Sequence, residues 1–418
     1  MLITNATLAD GRRRDVRIAD GTITELGRTL AGDADVDASG KLLLPGMIDA
    51  HVHFRQPGYD HKETWETGSQ SAAAGGVTTV VDQPNTSPPT VSGEAFDEKV
   101  TFAEESYVDW GINGGVTENW SRKSLLSRPL FALGEVFLAD STGNMGIAPG
   151  LFEDAVKAAT KKGVAVTVHA EDATLFDESA KDRDDADAWS AFRTAEAEAE
   201  AVELACRVGE EVGAQLHIAH TSTPEGIDIA ADYGMTCEVS PHHLLLSRAD
   251  SEELGTFGRM NPPLRSEQRR AAVYKRVADG TVDMIATDHA PHTREEKDAS
   301  IWDAPSGVPG VETALPLLLE EARKGNLTYE RVRQLTASNP AAVFDLPKKG
   351  RVAVGMDADV VLVDPDSSRT IRGEDLHSKC DWTPFEGMRG VFPEWTMVRG
   401  EMVFEDGAFG ETVGQNVR

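Results

Sequence analysis

Eight short apolar runs recur along the middle of the chain, separated by longer stretches rich in Ala, Glu and Leu. The runs are 47–53, 78–84, 108–114, 130–138, 164–170, 215–220, 235–244 and 282–290. The stretch 192–213 (FRTAEAEAEAVELACRVGEEVG) has the composition of a helix. Apolar runs that alternate with helices are typical of buried parallel strands, so the pattern predicts an α/β protein with a (β/α)8 barrel. The run 108–114 is the weakest, and a doubly wound open sheet is the alternative.

The two ends of the chain have a different pattern from the middle. LITNATL and RDVRIADGTITELG carry alternating β-branched residues, with a hairpin turn at AD-GT. Similar segments, GRVAVGMDADVVLVD and WTMVRGEMVFEDGAF, follow at about residue 350. We therefore expect residues 1–46 and 346–418 to form one small β-sandwich domain beside a catalytic barrel over 47–345.

The charge and the cysteines narrow the class of protein. The 418 residues carry a formal net charge of −29, which disfavours binding to nucleic acid or to an anionic membrane. The acidic residues are spread over several segments, as in proteins of salt-loving organisms. Three widely separated cysteines form no disulfide framework and no CxxC zinc motif. With no signal peptide and no membrane-spanning apolar run, we expect a cytoplasmic protein.

Imidazoles and carboxylates collect at the ends of the apolar runs. They are His51, His53, Glu135, His169, His220, His242, His243, Asp288, His289 and His292. The carboxyl ends of the strands meet at one mouth of a (β/α)8 barrel, where active sites lie. We therefore expect these side chains to converge there.

The spacing within two runs indicates which side chains point inward. Asp49, His51 and His53 share one face of their strand because side chains alternate with a period of two. His217 and His220 are three residues apart, so only one of them should enter the barrel, and the terminal His220 is the candidate. Nitrogen and oxygen ligands without thiolate favour zinc, with manganese or cobalt as alternatives.

Several motifs resemble those of a known family. HVHFRQPG, DQPNTSPP, TVHAED, HIAHTS, CEVSPHHL, MNPPLR, ATDHAPH and GVPGVET occur in the order found in dihydroorotases of the amidohydrolase superfamily, and the resemblance covers nearly the whole chain. It implies the reversible cyclisation of N-carbamoyl-L-aspartate to L-dihydroorotate and water in pyrimidine biosynthesis. The implied chemistry is attack by zinc-activated water or hydroxide, with Asp288 as general acid and base.

The resemblance also implies roles for individual residues. His51 and His53 would hold one zinc, His169 and His220 a second, and Asp288 would ligate the first. The implied substrate contacts come from His53, Arg55, Asn85, Asn261, His292, Ser306 and Gly307. Two zinc ions per chain are expected, and one is the alternative.

One departure from the family pattern concerns the fourth strand. Many relatives place a carboxylated lysine there, whereas this chain has Glu135. We predict that Glu135 ligates one or both metals, with Asp140 as the rival. His242 is interpreted as supporting a ligand, and 141–146 is a candidate lid segment.

Two other functions stay open at this point. Another cyclic amidase, such as an allantoinase or a hydantoinase (dihydropyrimidinase), would share the metal ligands but needs no Arg55 for a substrate carboxylate. A non-catalytic scaffold is the second alternative, although such relatives commonly lose metal ligands. A homo-oligomer and an association with aspartate transcarbamoylase fit the resemblance, but no sequence feature supports either.

Overall fold

The computed structural model describes residues 1–141 and 145–418. The N-terminal strands are β1 (Leu2–Thr7), β2 (Arg13–Ala19), β3 (Thr22–Gly27), β4 (Val36–Asp37) and β5 (Leu42–Pro45). The middle strands are β6 (Met47–Val52), β7 (Val77–Asp82), β8 (Asp109–Ile112), β9 (Ala132–Phe137), β10 (Ala165–His169), β11 (Leu216–Ile218), β12 (Thr236–Val239) and β13 (Met284–Ile285). The C-terminal strands are β14 (Val360–Thr370), β15 (Arg389–Val398), β16 (Glu401–Glu405) and β17 (Ala408–Phe409).

Helices follow most of the middle strands. They are α1 (Trp65–Ala74), α2 (Gly93–Ala103), α3 (Arg122–Leu125), α4 (Pro149–Thr160), α5 (Ala188–Phe192), α6 (Ala195–Val212), α7 (Pro224–Asp232), α8 (Pro241–Leu245), α9 (Ser251–Leu254), α10 (Glu267–Asp279), α11 (Arg294–Lys297), α12 (Ala314–Arg323), α13 (Tyr329–Arg333) and α14 (Asn339–Val343). Short 3₁₀ turns lie at Ala173–Leu175, Glu178–Asp182, Arg248–Asp250, Gly255–Gly258 and Gly373–Asp375, and a π-helical turn at Gln334–Ser338. Within the described residues, no helix is both long and apolar enough to cross a membrane.

The long helix α6 shows why a predicted stretch folds as it does. The side chain of Thr194 accepts a hydrogen bond from the backbone N–H of Ala197, which caps the first turn. At the other end Gly213 adopts a left-handed conformation with φ of 71° and ends the helix. Between them Ala and Val side chains are buried against the barrel, so the helix predicted within 192–213 is confirmed.

The eight middle strands form the barrel. Strands β6 to β8 pair in parallel, and so do β9 to β13. Parallel bridges between Gly114 and Leu133 and between Val52 and His289 join the two groups and close the ring. The (β/α)8 prediction is therefore confirmed, and the weakest apolar run forms β8.

The remaining strands form one sheet from both ends of the chain. Its order is β17-β16-β15-β14-β5-β1-β2-β3, with β4 beside β1. The N-terminal and C-terminal strands meet where β5 pairs antiparallel with β14, placing Leu43 opposite Leu362. The hairpin predicted at AD-GT joins β2 to β3 through Asp20 and Gly21, both with positive φ. We propose a domain boundary at 46/47, because β5 lies in this sheet and β6 in the barrel. We propose a second boundary at 345/346, because it lies between α14 and β14, the next strand of this sheet.

A buried ionic cluster links the terminal sheet to the barrel. Lys349 Nζ donates to Asp109 Oδ2 at 2.7 Å and to Asp359 Oδ2 at 2.5 Å, and Arg399 also pairs with Asp109. Asp109 begins β8, whereas Asp359 precedes β14 and Arg399 follows β15. Burial lowers the pKa of Lys349, but the two carboxylates outweigh burial and raise it to about 12.

Replacing Lys349 should destabilise the fold more than replacing the lysine beside it. We expect Lys349→Met to lower the free energy of unfolding by about 3–5 kcal/mol, because it leaves buried carboxylates without their ammonium partner. Chemical denaturation measures the effect, and Lys348→Met is the control because Lys348 is exposed. A loss below about 1 kcal/mol, as for a surface ion pair, would contradict a stabilising role for this cluster.

Candidate metal centre

The barrel brings the predicted metal-ligand residues to one mouth. His51 lies on β6, and His53 follows it directly. Glu135 lies on β9 and His169 ends β10. The other two ligand candidates, His220 and Asp288, follow β11 and β13 in left-handed conformations, with φ of 33° and 49°. All six side chains are buried.

The expectation that only His220 would enter the barrel from its strand is wrong. His217 is buried too, and its Nε2 lies 3.0 Å from Glu238 Oε2. Strand β11 ends at Ile218, so strict alternation does not extend to His220. His220 has positive φ, and its backbone N–H donates to Glu238 Oε1 at 3.2 Å, so both residues contact the same carboxylate.

Two groups of ligand atoms lie close enough to share ions. One consists of His51, His53 and Asp288, and the other of His51, Glu135 and His220, with the atoms of each group within 4.8 Å of one another. Asp288 Oδ1 lies 3.0 Å from His53 Nε2 and 3.6 Å from His51 Nε2. Glu135 Oε2 lies 2.9 Å from His220 Nε2, and Glu135 Oε1 lies 3.5 Å from His51 Nε2.

His169 completes the cluster beside the second group. Its Nδ1 lies 3.0 Å from His220 Nε2 and 3.4 Å from Glu135 Oε2. Its other nitrogen, Nε2, lies 3.0 Å from Glu171 Oε2, and Arg193 holds that carboxylate from the other side. Glu171 and Arg193 therefore fix which nitrogen of His169 faces the cluster.

A second buried carboxylate orients His51. Glu238 Oε1 lies 2.7 Å from His51 Nδ1, which leaves His51 Nε2 for the cluster. Burial raises the pKa of Glu238, but the imidazoles of His51 and His217 outweigh burial and lower it well below its usual range. Glu238 thus remains a carboxylate that accepts a hydrogen bond from His51.

The electrostatics of the cluster favour a bound cation. Burial raises the pKa of Glu135, but His51, His169 and His220 outweigh it and hold the pKa well below the ordinary value. Burial lowers the pKa of His169, but Glu135 and Glu171 raise it to about 9. Among the described residues, no lysine or arginine forms an ion pair with Glu135 or Asp288.

The hydrogen-bonding state of the buried imidazole nitrogens also fits a bound metal. His51 Nε2 is a buried atom without a hydrogen-bond partner in the described part of the chain. Two further imidazole nitrogens, on His169 and His220, face each other at 3.0 Å. Buried nitrogens normally have partners, and a metal ion held by imidazole and carboxylate satisfies these donors together. The donor set fits a divalent metal.

The two carboxylates considered for the fourth strand lie in different places. Glu135 is at the centre of the cluster, whereas Asp140 is exposed and its Oδ1 accepts from the backbone N–H of Gly146 at 2.7 Å. Of the candidate lid 141–146, residues 142–144 lie outside the described residues.

His242 packs against His243, with ring centroids 4.3 Å apart, and its buried Nε2 has no partner among the residues described. Its role as support for a ligand stays a prediction.

A cavity beside the cluster is lined by most of the predicted substrate contacts. They are His53, Arg55, Asn85, Asn261, Ser306 and Gly307. Asn85 Oδ1 lies 2.7 Å from His53 Nδ1, and Asn261 Nδ2 donates to Ser141 Oγ at 2.9 Å. His292 lies behind Arg55, with its Nε2 3.0 Å from Arg55 Nη2 and from the Ser306 carbonyl oxygen.

The predictions from sequence omitted the groups that hold these side chains in place. Glu238, Glu171 and Arg193 are buried and charged, and each contacts a candidate ligand or its partner. Glu238 carried a usable signal, because a carboxylate inside the apolar run 235–244 needs a buried partner. No comparable local pattern marks Arg193, which comes from a different segment than its partner Glu171.

Comparisons with known proteins agree with the fold and identify the family of the chain. The model of the amidohydrolase family matches residues 42–403. The chain is 64% identical to a protein named dihydroorotase from Halobacterium salinarum, over 100% of this chain and 99% of that relative. It is 44% identical to a protein of the same name from Methanosarcina mazei, covering 93% and 90% of the two chains.

The fold also matches a solved structure, the L-hydantoinase (dihydropyrimidinase) from Arthrobacter aurescens. The TM-score is 0.94 at 28% identity, covering 99% of this chain and 98% of that one. The sequence identity to the two proteins named dihydroorotase is higher than the identity to this hydantoinase, and each of the two alignments covers more than nine-tenths of the chain. The chain belongs to the amidohydrolase family and, within it, to the dihydroorotases.

Proposed function

We propose that the protein catalyses the reversible cyclisation of N-carbamoyl-L-aspartate to L-dihydroorotate and water. The observation that carries the proposal is the position of Arg55, a buried cation that lines the cavity beside a cluster of imidazoles and carboxylates. Burial lowers the pKa of Arg55 only to about 10, so it stays charged at neutral pH. In a protein of net charge −29, a cation at this position is suited to an anionic substrate.

We propose two zinc ions as the metals of this centre. His51, His53 and Asp288 would hold one, and His169, His220 and Glu135 the other. A bound divalent ion polarises carbonyl groups and lowers the pKa of a water molecule that contacts it. The carboxylate of Glu238 would keep His51 Nε2 directed at the ions.

Asp288 is suited to move the proton. Burial raises the pKa of Asp288, but His53 and His51 outweigh it and lower the pKa, so Asp288 is ionised at neutral pH. In ring opening, water attacks the ring carbonyl carbon, and Asp288 accepts the proton and delivers it to the leaving ring nitrogen. In ring closure, the ureido nitrogen attacks the side-chain carboxylate carbon, and Asp288 carries the ureido proton to the oxygen that leaves. A second proton, taken up from solvent, completes the water molecule.

Arg55 and its neighbours would bind the carboxylate that the reaction leaves unchanged. A guanidinium offers two parallel N–H donors to a carboxylate. We propose that Asn85, Asn261 and the Ser306–Gly307 backbone contact the rest of the substrate. His292 would act from behind Arg55, since it contacts both Arg55 and the Ser306 carbonyl.

The solved hydantoinase with the same fold makes hydrolysis of a hydantoin the second candidate. A neutral hydantoin ring carries no carboxylate, so the buried charge of Arg55 would have no partner on it. The non-catalytic scaffold is disfavoured, because the candidate ligand side chains lie together at the barrel mouth. We also propose a cytoplasmic location, since Cys206, Cys237 and Cys380 are all free and buried.

Self-association and association with aspartate transcarbamoylase stay predictions.

The choice between the two reactions is tested by a substrate panel. We expect the zinc-loaded protein to turn over L-dihydroorotate and N-carbamoyl-L-aspartate, and to turn over allantoin, hydantoin and dihydrouracil at least about 100-fold more slowly, because only the first two give Arg55 a charged partner. Steady-state assays in both directions measure this. Turnover confined to the neutral rings would refute the proposed substrate.

The role of Arg55 predicts a defect in substrate binding. Arg55→Met should raise KM for L-dihydroorotate by about 30-fold or more, the effect of removing one partner of a buried charge pair. Arg128→Met is the matched control, because it removes the same charge from an exposed pair with Asp97. A KM unchanged in Arg55→Met would show that the substrate carboxylate binds elsewhere.

The assignment of Glu135 predicts a loss of metal. Glu135→Ala should bind at least one fewer zinc ion per chain and lose at least about 100-fold in kcat/KM, since even outer-shell changes at metal sites cost 10–100-fold. Elemental analysis of the purified variants measures the metal. Asp140→Ala, the control, should keep the wild-type zinc content, and the reverse pattern would assign the ligand to Asp140.

A further inference from the structure

Lys297 is a charged side chain that the site described above does not use. It lies at the end of α11 and is completely buried. No carboxylate in the described part of the chain forms an ion pair with it. Burial, together with the charges of Arg259 and Arg55, holds its pKa well below the ordinary value. A buried ammonium without a carboxylate is costly, so its contacts need an explanation.

The ammonium is held by three backbone carbonyl groups. Lys297 Nζ donates to the carbonyl oxygens of Pro305 at 2.9 Å, Arg259 at 3.0 Å and Gly307 at 3.1 Å. The ring of Trp382 lies 5.6 Å from Nζ on another side. Three acceptors match the three N–H bonds of an ammonium group, so every donor of the protonated side chain has a partner in this position.

These carbonyls belong to the two loops that line the cavity. Arg259 lies two residues before Asn261, and Pro305 and Gly307 flank Ser306. The loops also meet directly, since Gly307 N donates to the Arg259 carbonyl at 3.0 Å. Lys297 therefore joins both loops through one group.

The segment 305–307 has little freedom to take another position. All three of its carbonyl oxygens accept hydrogen bonds from buried side chains. The oxygens of Pro305 and Gly307 accept from Lys297 Nζ, and the oxygen of Ser306 accepts from His292 Nε2. Gly307 has φ of 136°, and a Cβ there would lie 2.6 Å from the Ala290 carbonyl oxygen. With its carbonyls turned toward Lys297 and His292, the segment presents a fixed backbone to the cavity.

We infer that Lys297 is a positioning residue for substrate binding. Its three carbonyl contacts fix the 305–307 segment and the Arg259–Asn261 loop at the spacing that the substrate requires. The inference rests on the proposed function, because it concerns the binding of the same substrate. Lys297 touches none of the proposed metal ligands, so metal binding does not depend on it.

The test separates KM from kcat in Lys297→Met. This variant keeps the length of the side chain and removes the charge and the donors. We expect KM for N-carbamoyl-L-aspartate and for L-dihydroorotate to rise about 10- to 100-fold, since misplacing binding groups by about 1 Å has effects of this size. Zinc content should stay at the wild-type level and kcat within about threefold of wild type.

Lys349→Met is the matched control, because it removes another buried lysine whose partners lie at the junction with the terminal sheet. It should lose stability without a rise in KM. Lys297→Gln keeps two N–H donors without the charge and should fold even if the Met variant does not. We expect its KM to lie between those of the wild type and Lys297→Met.

Three results would overturn the inference. They are a wild-type KM in a folded Lys297→Met, a wild-type KM in Lys297→Gln, and an equal rise of KM in Lys349→Met, which would indicate a general effect of instability. Failure of the proposed function gives a different result, because the wild-type protein itself would then not turn over either substrate.

Discussion

The structure depends on the need of buried carboxylates and imidazoles for a partner. Glu135 and Asp288 are ionised and buried at the mouth of the barrel, with no lysine or arginine paired to them in the described chain. Such charges would be costly alone. Their positions make sense if cations are bound between them and the four imidazoles of the cluster, and the proposed chemistry follows from that arrangement.

The surrounding charges divide the site into two electrostatic regions. On the metal side, Glu238 fixes the nitrogen that His51 presents, Glu171 fixes that of His169, and Arg193 balances Glu171. On the substrate side, Arg55 and Lys297 donate to backbone carbonyl oxygens. A substrate that carries a carboxylate and a scissile amide bond fits across these two regions, with the amide toward the metals.

The sequence was most informative where one strand determines a position. The eight strands, and the positions of the candidate ligands His51, His53 and His169, follow from apolar runs and from residues at their carboxyl ends. Alternation failed for His217 and His220, because β11 ends before His220 and the backbone turns with positive φ there. The alternation of residues along a strand cannot predict such a turn.

Contacts between distant segments could not be predicted from the sequence. Lys297 looks like an ordinary charged residue in TREEK, and only the fold places it against carbonyls of residues 259, 305 and 307. Glu171 and Arg193 are 22 residues apart and meet only after the loops pack. The different positions of Glu135 and Asp140 likewise depend on the direction of β9, which carries Glu135 into the barrel and leaves Asp140 exposed.

The most direct measurement is an anomalous diffraction map, recorded at the zinc edge from crystals of the zinc-loaded protein with L-dihydroorotate bound. We predict two peaks at the barrel mouth, one among His51, His53 and Asp288 and one among His169, His220 and Glu135, with the substrate carboxylate on Arg55. A map in which these side chains surround no ion, although the crystals contain zinc, would contradict the account.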